Sequence, residues 1–206
     1  MSGTLRVKIC GITSIEDALA AAAAGADLVG FNFHPPSPRW VSPATAAAIA
    51  ALLPRGVLRV GVFVDPAPAE VERAIDCVGL DLVQLHGDEA PAFCARFRVP
   101  AIKVLRVASL GALAAAARAY PEGWLLADTA DPVLHGGTGR ALAPEPVAPA
   151  LAARLFVAGG LRPETVGDVV RRMRPLGVDV CSGVESGPGR KDRQRLGRFV
   201  SHAKTA

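Results

Sequence analysis

Short apolar runs recur along the chain at intervals of roughly 20–30 residues. They cover residues 5–10, 28–33, 60–64, 82–86, 101–105, 124–128, 155–158 and 178–181. Within each run the apolar positions are nearly continuous rather than alternating, the pattern of strands buried on both faces of a parallel sheet. Alanine-rich segments with helical spacing separate them, over 15–24, from 43 onward, 69–77, 90–97, 110–119, 164–173 and 192–203, with a weaker one over 145–152. Local chemistry supports these boundaries. Ser14 stands where a helix cap belongs, Glu16 and Asp17 follow in the first turn, and Gly25 ends the segment. Ser42-Pro43 opens the second helix with proline at its favoured first position. Three prolines in His34-Pro35-Pro36-Ser37-Pro38-Arg39-Trp40-Val41 stiffen a loop and forbid helix there.

Eight strand–helix units with no break in composition predict one domain over residues 1–206, a closed (β/α)8 barrel with outer helices, near the ~200-residue lower limit of that fold. The alternative is an open doubly wound sheet. That fold calls for a glycine-rich turn after its first strand, and Cys10-Gly11-Ile12-Thr13 lacks GxGxxG.

Composition narrows the possibilities. Half of the 206 residues are hydrophobic and a fifth are charged, as in a globular chain with a large core. The net charge is only +4, and the arginine-rich stretch from Arg190 to Arg198 carries no interleaved base-stacking platform, which argues against a nucleic-acid partner. A small anionic substrate suits a mildly basic protein. No charge-free apolar segment reaches ~20 residues, so no membrane span is expected. Met1-Ser2-Gly3-Thr4 does not read as a secretory signal. The four cysteines, Cys10, Cys77, Cys94 and Cys181, lack CxxC spacing, so reduced thiols and a cytoplasmic setting are expected.

In such a barrel the chemistry gathers at the C-terminal ends of the strands. The pattern puts Cys10, the 32–39 loop, Asp65, His86, Arg106, Asp128, Gly159-Gly160 and residues 179–185 there. Gly159-Gly160 after strand seven and Ser182-Gly183 after strand eight stand where barrels commonly bind phosphate through backbone N–H groups. Cys10 and Asp128 end strands one and six and form a candidate base and acid across one mouth. A thiol with a pKa of ~8.5 needs a modest downward shift to act as a base, and a carboxyl must be kept protonated to act as an acid. On spacing alone Cys10 also reads as a small buried hydrophobe, Asp128 as a turn cap, and Arg39 as a surface charge. Arg39 could instead fork onto a substrate carboxylate. His86 is a substrate contact or a hydrogen-bonded structural residue, and Gln84 fills the barrel interior.

The motifs KICGIT from Lys8, GFNFHPPSPRWV from Gly30, VGVFVD from Val60, QLHGDE from Gln84, LLADT from Leu125, GGTG from Gly136, AGGLRPETV from Ala158, VDVCSGVE from Val178 and PGRKD from Pro188 resemble the phosphoribosylanthranilate isomerase family over nearly the whole chain. The resemblance implies the Amadori rearrangement of N-(5-phosphoribosyl)anthranilate in tryptophan biosynthesis, with no metal or redox cofactor. It implies Asp128 as acid on the ring oxygen and Cys10 as base on the C2 proton. Arg39 is expected on the anthranilate carboxylate and Asp179 near the sugar, with His86 kept as a substrate contact. Gly159, Gly160, Ser182 and Gly183 are expected on the phosphate. A monomer or homodimer is expected. Three departures stand out: Arg140-Ala141-Leu142-Ala143-Pro144 where the family carries an FDW-like patch, Cys181 where serine or asparagine is commoner, and Ala127 before Asp128, which leaves Asp131 as a rival acid. The alternatives are another phosphate-binding barrel, such as a sugar-phosphate isomerase or epimerase or an indole-forming synthase, and a barrel that only binds a phosphorylated metabolite. A second sugar-phosphate substrate, from histidine biosynthesis, also stays open.

Overall fold

A computed structural model describes residues 4–129 and 144–206. The GGTG motif, Asp131 and residues 140–143 lie outside these.

Eight parallel strands close into a barrel in chain order. They are β1 (Arg6–Ile9), β2 (Leu28–Asn32), β3 (Leu58–Phe63), β4 (Leu82–Leu85), β5 (Ala101–Val107), β6 (Trp124–Thr129), β7 (Leu155–Val157) and β8 (Gly177–Val180). β8 returns to pair with β1, in the register Val7↔Val178 and Ile9↔Val180. The outer helices are α1 (Ile15–Ala23), α2 (Pro43–Ala50), α3 (Pro68–Val78), α4 (Pro91–Cys94), α5 (Leu110–Ala117), α6 (Pro149–Ala152), α7 (Val166–Met173) and α8 (Arg193–Lys204). Ser14, Ser42 and Ser109 cap α1, α2 and α5 by accepting the backbone N–H three residues on. Each such cap contributes about 1 kcal/mol.

The period-two alternation of the strands sorts the core into two layers. Val7, Ile9, Val29, Val83, Leu85, Val178 and Val180 face outward into the packing between sheet and helices. Leu28, Val60, Leu82, Ile102, Val104, Leu126, Phe156 and Ala158 face inward and fill the barrel. Burying each large apolar side chain contributes about 1.5–3 kcal/mol, so both layers resist a one-residue register slip, which would exchange them. The same alternation aims Lys8, Gln84, Asp128 and Asp179 into the upper interior, where the filling turns polar.

Some local expectations change. The weak helix over 145–152 contracts to the single turn α6, because Pro144, Pro146 and Pro149 interrupt the N–H donors a longer helix needs. The helix over 90–97 shortens to α4, since Pro100 disfavours helical geometry at Val99 and β5 starts at Ala101. After β8 the chain forms a 3-10 turn, Ser182–Val184, and then an antiparallel hairpin of β9 (Glu185–Gly187) and β10 (Arg190–Lys191). Neither element is expected from the apolar pattern of the chain. The hairpin returns Lys191 to the mouth of the barrel.

Candidate active site

A cavity of about 510 Å³ opens at the C-terminal ends of the strands. Its lining includes Cys10, Arg39, His86, Asp128 and Asp179 together with both glycine turns. The candidates at the ends of β1, β2, β4, β6, β7 and β8 thus meet in one space. Asp65 and Arg106 do not join them. Asp65 Oδ1 accepts from the Asp88 N–H at 2.7 Å, and Arg106 pairs with the Asp88 carboxylate at 2.9 Å. Both brace the loop after β4. Lys103, buried behind that loop, ties it further by donating to Gly87 O and Glu89 Oε2, each at 2.6 Å.

Two cations act on Cys10, Lys8 and Lys191. Lys8 lies two residues earlier on β1, so its side chain shares the inward face with Cys10. It is fully buried, and its Nζ donates to Asp179 Oδ1 at 2.8 Å. Gly30 makes the room: a Cβ there would sit 3.0 Å from Cys10 Sγ and 3.1 Å from Lys8 Nζ. Lys191 Nζ donates to the Cys10 carbonyl at 2.6 Å and to Glu185 Oε1 at 2.9 Å. The Cys181 thiol, next to Cys10, donates to Glu185 Oε1 at 3.6 Å. The neighbouring Cys181 thiol, with the charges of Lys8 and Lys191, holds the Cys10 thiol well below its ordinary value despite burial. Cys181, set beside Cys10 and itself removed from water, is pushed well above the ordinary thiol value.

Two further groups respond to the same field. Burial alone would favour neutral Lys8, but the charges of Asp179 and Cys10 outweigh it and hold the ammonium above its usual range. Asp179 is pushed up to about 6, first by burial and then by Cys10 and Asp128, against the pull of Lys8. Asp128 is buried, with Oδ2 3.5 Å from Nε2 of His86. His86 therefore reaches the candidate acid as well as the cavity.

Arg39 is held from within the protein. Its two-bond fork is made with Glu185: Nε donates to Oε1 at 2.9 Å and Nη2 to Oε2 at 2.7 Å. The hairpin after β8 supplies this internal carboxylate, and it fixes the guanidinium plane at the rim. The hydrogen bonds from Arg39 and the charge of Lys191 lower the Glu185 carboxyl below its usual value, overcoming burial. Arg39 Nη1 donates to no group among the described residues.

The two turns after β7 and β8 have the geometry of an anion cradle. Gly159 and Gly160 adopt φ of 85° and 64°, where side-chain-bearing residues are strained. Gly183 packs so closely on Leu161 O that a Cβ would collide with it. Among the described residues, the backbone N–H groups of Gly160, Ser182 and Gly183 have no protein acceptor. Gln84 is 2 % exposed and lines the cavity, and its Oε1 has no partner among the described residues.

No sequence pattern points to Lys191, to the pairing of Glu185 with Arg39 or to the contact of Cys181 with Cys10, and Lys8 is not among the residues expected at the site. For Lys8 the signal was present: a charge within an apolar strand, two positions before the thiol. The others depend on the hairpin and on closure of β8 against β1.

The profile of the family described as N-(5′-phosphoribosyl)anthranilate (PRA) isomerase matches residues 7–202. An N-(5′-phosphoribosyl)anthranilate isomerase of Rubrobacter xylanophilus is 49 % identical over 206 residues, covering 97 % of this chain and 99 % of its own. One from Geobacter sp. strain M21 is 48 % identical over 200 residues, covering 97 % and 98 %. The fold is similar to that of phosphoribosyl anthranilate isomerase from Thermotoga maritima, with a TM-score of 0.88 at 39 % identity, covering 98 % of this chain and 100 % of that one. It is also similar to a phosphoribosyl anthranilate isomerase in complex with reduced 1-(o-carboxyphenylamino)-1-deoxyribulose 5-phosphate, with a TM-score of 0.84 at 39 % identity and the same coverage.

Proposed function

The chain belongs to the N-(5′-phosphoribosyl)anthranilate isomerase family, and from that premise we propose that it isomerises phosphoribosylanthranilate with Cys10 as base and Asp128 as acid. The activity is that of the family: an aldose–ketose isomerisation in tryptophan biosynthesis. The single observation that carries the residue roles is the setting of Cys10, a buried thiol between the Lys8 and Lys191 ammonium groups in the cavity that Asp128 also lines.

Asp128 gives its proton to the furanose ring oxygen, the C1–O bond breaks, and the anthranilate nitrogen takes up the positive charge as an iminium. Cys10 removes the proton from C2, and the electron pair moves to neutralise the nitrogen. The resulting enolamine becomes the ketone as a proton leaves the C2 hydroxyl and one is added at C1. The substrate and product are isomers, and the two side chains need only exchange their protons to reset. His86 beside Asp128 orients that carboxyl, and Asp179 reaches the sugar hydroxyls while its charge is balanced by Lys8.

The phosphate is held by the backbone of Gly159, Gly160, Ser182 and Gly183, and the anthranilate carboxylate by the Nη1 side of Arg39. Glu185 holds that guanidinium in place, so substrate binding orders fewer torsions. The substrate is a small molecule, bound without a nucleic-acid or membrane partner by a single (β/α)8 domain acting as a monomer or homodimer. Cys10 works as a free thiol, which supports a reducing, cytoplasmic setting. The test follows the fluorescence of phosphoribosylanthranilate generated in situ. Purified protein is expected to accelerate its loss well beyond spontaneous decay, and loss at the spontaneous rate alone would refute the assignment.

A further inference from the structure

Cys181 takes no proton in the isomerisation, yet the fold sets it directly against the base. β1 and β8 are parallel neighbours in the register Ile9↔Val180. The ladder continues one step further, with the Cys10 N–H on Val180 O at 2.8 Å. Cys10 and Cys181 are therefore the next pair across the two strands, and both line the cavity. Adjacent strands lie about 4.8 Å apart, which falls within the ~4.4–6.8 Å Cα separation that a disulfide spans. Gly11, at φ 71°, keeps the space open: a Cβ there would be 2.9 Å from Cys181 Sγ. Lys191 ties the two positions together by donating to the Cys10 carbonyl at 2.6 Å and the Cys181 carbonyl at 3.4 Å. The other two thiols, on α3 and α4, are remote from this mouth.

We propose that Cys10 and Cys181 form a reversible oxidative lock, in which a peroxide oxidises Cys10 and Cys181 resolves it as an intramolecular disulfide. In the first step the Cys10 thiolate sulfur attacks one peroxide oxygen. The O–O bond breaks, hydroxide leaves and is protonated to water, and Cys10 becomes a sulfenic acid. In the second step the Cys181 sulfur attacks the Cys10 sulfur. The S–S bond forms, the S–O bond breaks, and the departing hydroxide takes up the proton that Cys181 gives up, as a second water. Two thiols lose two electrons and two protons, and one peroxide becomes two waters. A dithiol restores both thiols by exchange. The consequence for activity rests on Cys10 being the base, whereas the bridge itself does not.

The experiment treats the full-length Cys77→Ser/Cys94→Ser protein with a small excess of hydrogen peroxide, alkylates the remaining thiols under denaturing conditions, and maps the peptides by mass. The expected product joins the Cys10 and Cys181 peptides, lighter by two hydrogens than the reduced pair. Isomerase activity should fall in proportion to the bridged fraction and return fully with dithiothreitol. In the same background Cys181→Ser should form no bridge. Its Cys10 should run on to sulfinic acid, so that dithiothreitol no longer restores activity. Sulfinic acid at Cys10 with Cys181 still alkylatable in the protein that retains both thiols would overturn the lock, as would disulfides only between molecules. A bridged protein that keeps full activity would uphold the bridge and overturn Cys10 as the base, which separates the two claims.

Discussion

Replacing Lys8 by methionine removes the cation nearest in sequence to Cys10 while keeping most of the buried aliphatic stem. Nζ and Cys10 Sγ each lie within 3.1 Å of the Cβ position that Gly30 leaves empty, so they are no farther apart than about 6 Å. At an effective dielectric of ~20, unit charges at that range interact by about 3 kcal/mol, equivalent to roughly two pK units on the thiol. Lys191 and the neighbouring Cys181 thiol remain, so the acid limb of kcat/KM is expected to move up by about one to two pH units. The sign follows from the base needing to be a thiolate: activity is lost at neutral pH and recovered as pH rises. Asp179 loses its partner in the variant and is held protonated to a higher pH, which limits the folding penalty of an unpaired buried carboxylate. The assay is kcat/KM from pH 6 to 10 alongside the pH dependence of Cys10 alkylation. An unchanged acid limb, with the fold intact by circular dichroism, would refute the role assigned to Lys8.

Asp128→Asn should lower kcat by about 10²- to 10⁴-fold while product affinity, read by fluorescence titration, changes little. Glu185→Gln should cost roughly 3 kcal/mol at pH 7, because Lys191 loses a buried partner and Arg39 its fork. Since the Glu185 carboxyl is depressed in the folded protein, the stability it supplies is present above its unfolded value and fades as pH falls through the folded one. Urea denaturation should therefore separate wild type from variant at pH 7 and bring them together in acid. Gln84→Met removes a buried acceptor without a partner, and is expected to stabilise the free protein by about 1 kcal/mol in thermal or urea melts while raising KM.

The barrel could be read from the chain because its strands are unambiguous. The runs around Val29, Val83 and Val157 are apolar on both faces, and only strands covered by helices need that. The ends of those strands could be read for the same reason, which is why Cys10, His86, Asp128 and the glycine turns come together in one cavity. What could not be read was anything set by contacts across the closed barrel. Arg39 meets Glu185 across 146 positions, and Lys191 reaches Cys10 across 181. Neither contact leaves a local spacing signal. The α6 segment misled because alanine favours a helix while the prolines beside it remove the donors. Lys8 is the instructive omission, since period-two alternation alone puts it on the same face as Cys10.

The central claim is that the Cys10 thiolate takes the C2 proton. Cys10→Ser tests it most directly, because a serine hydroxyl occupies nearly the same space but cannot ionise in this pH range. In this variant kcat/KM for phosphoribosylanthranilate, followed by fluorescence loss, is expected to fall by at least about 10²-fold while affinity for the product is kept. Turnover within tenfold of wild type would contradict it and move the base to another residue of the cavity.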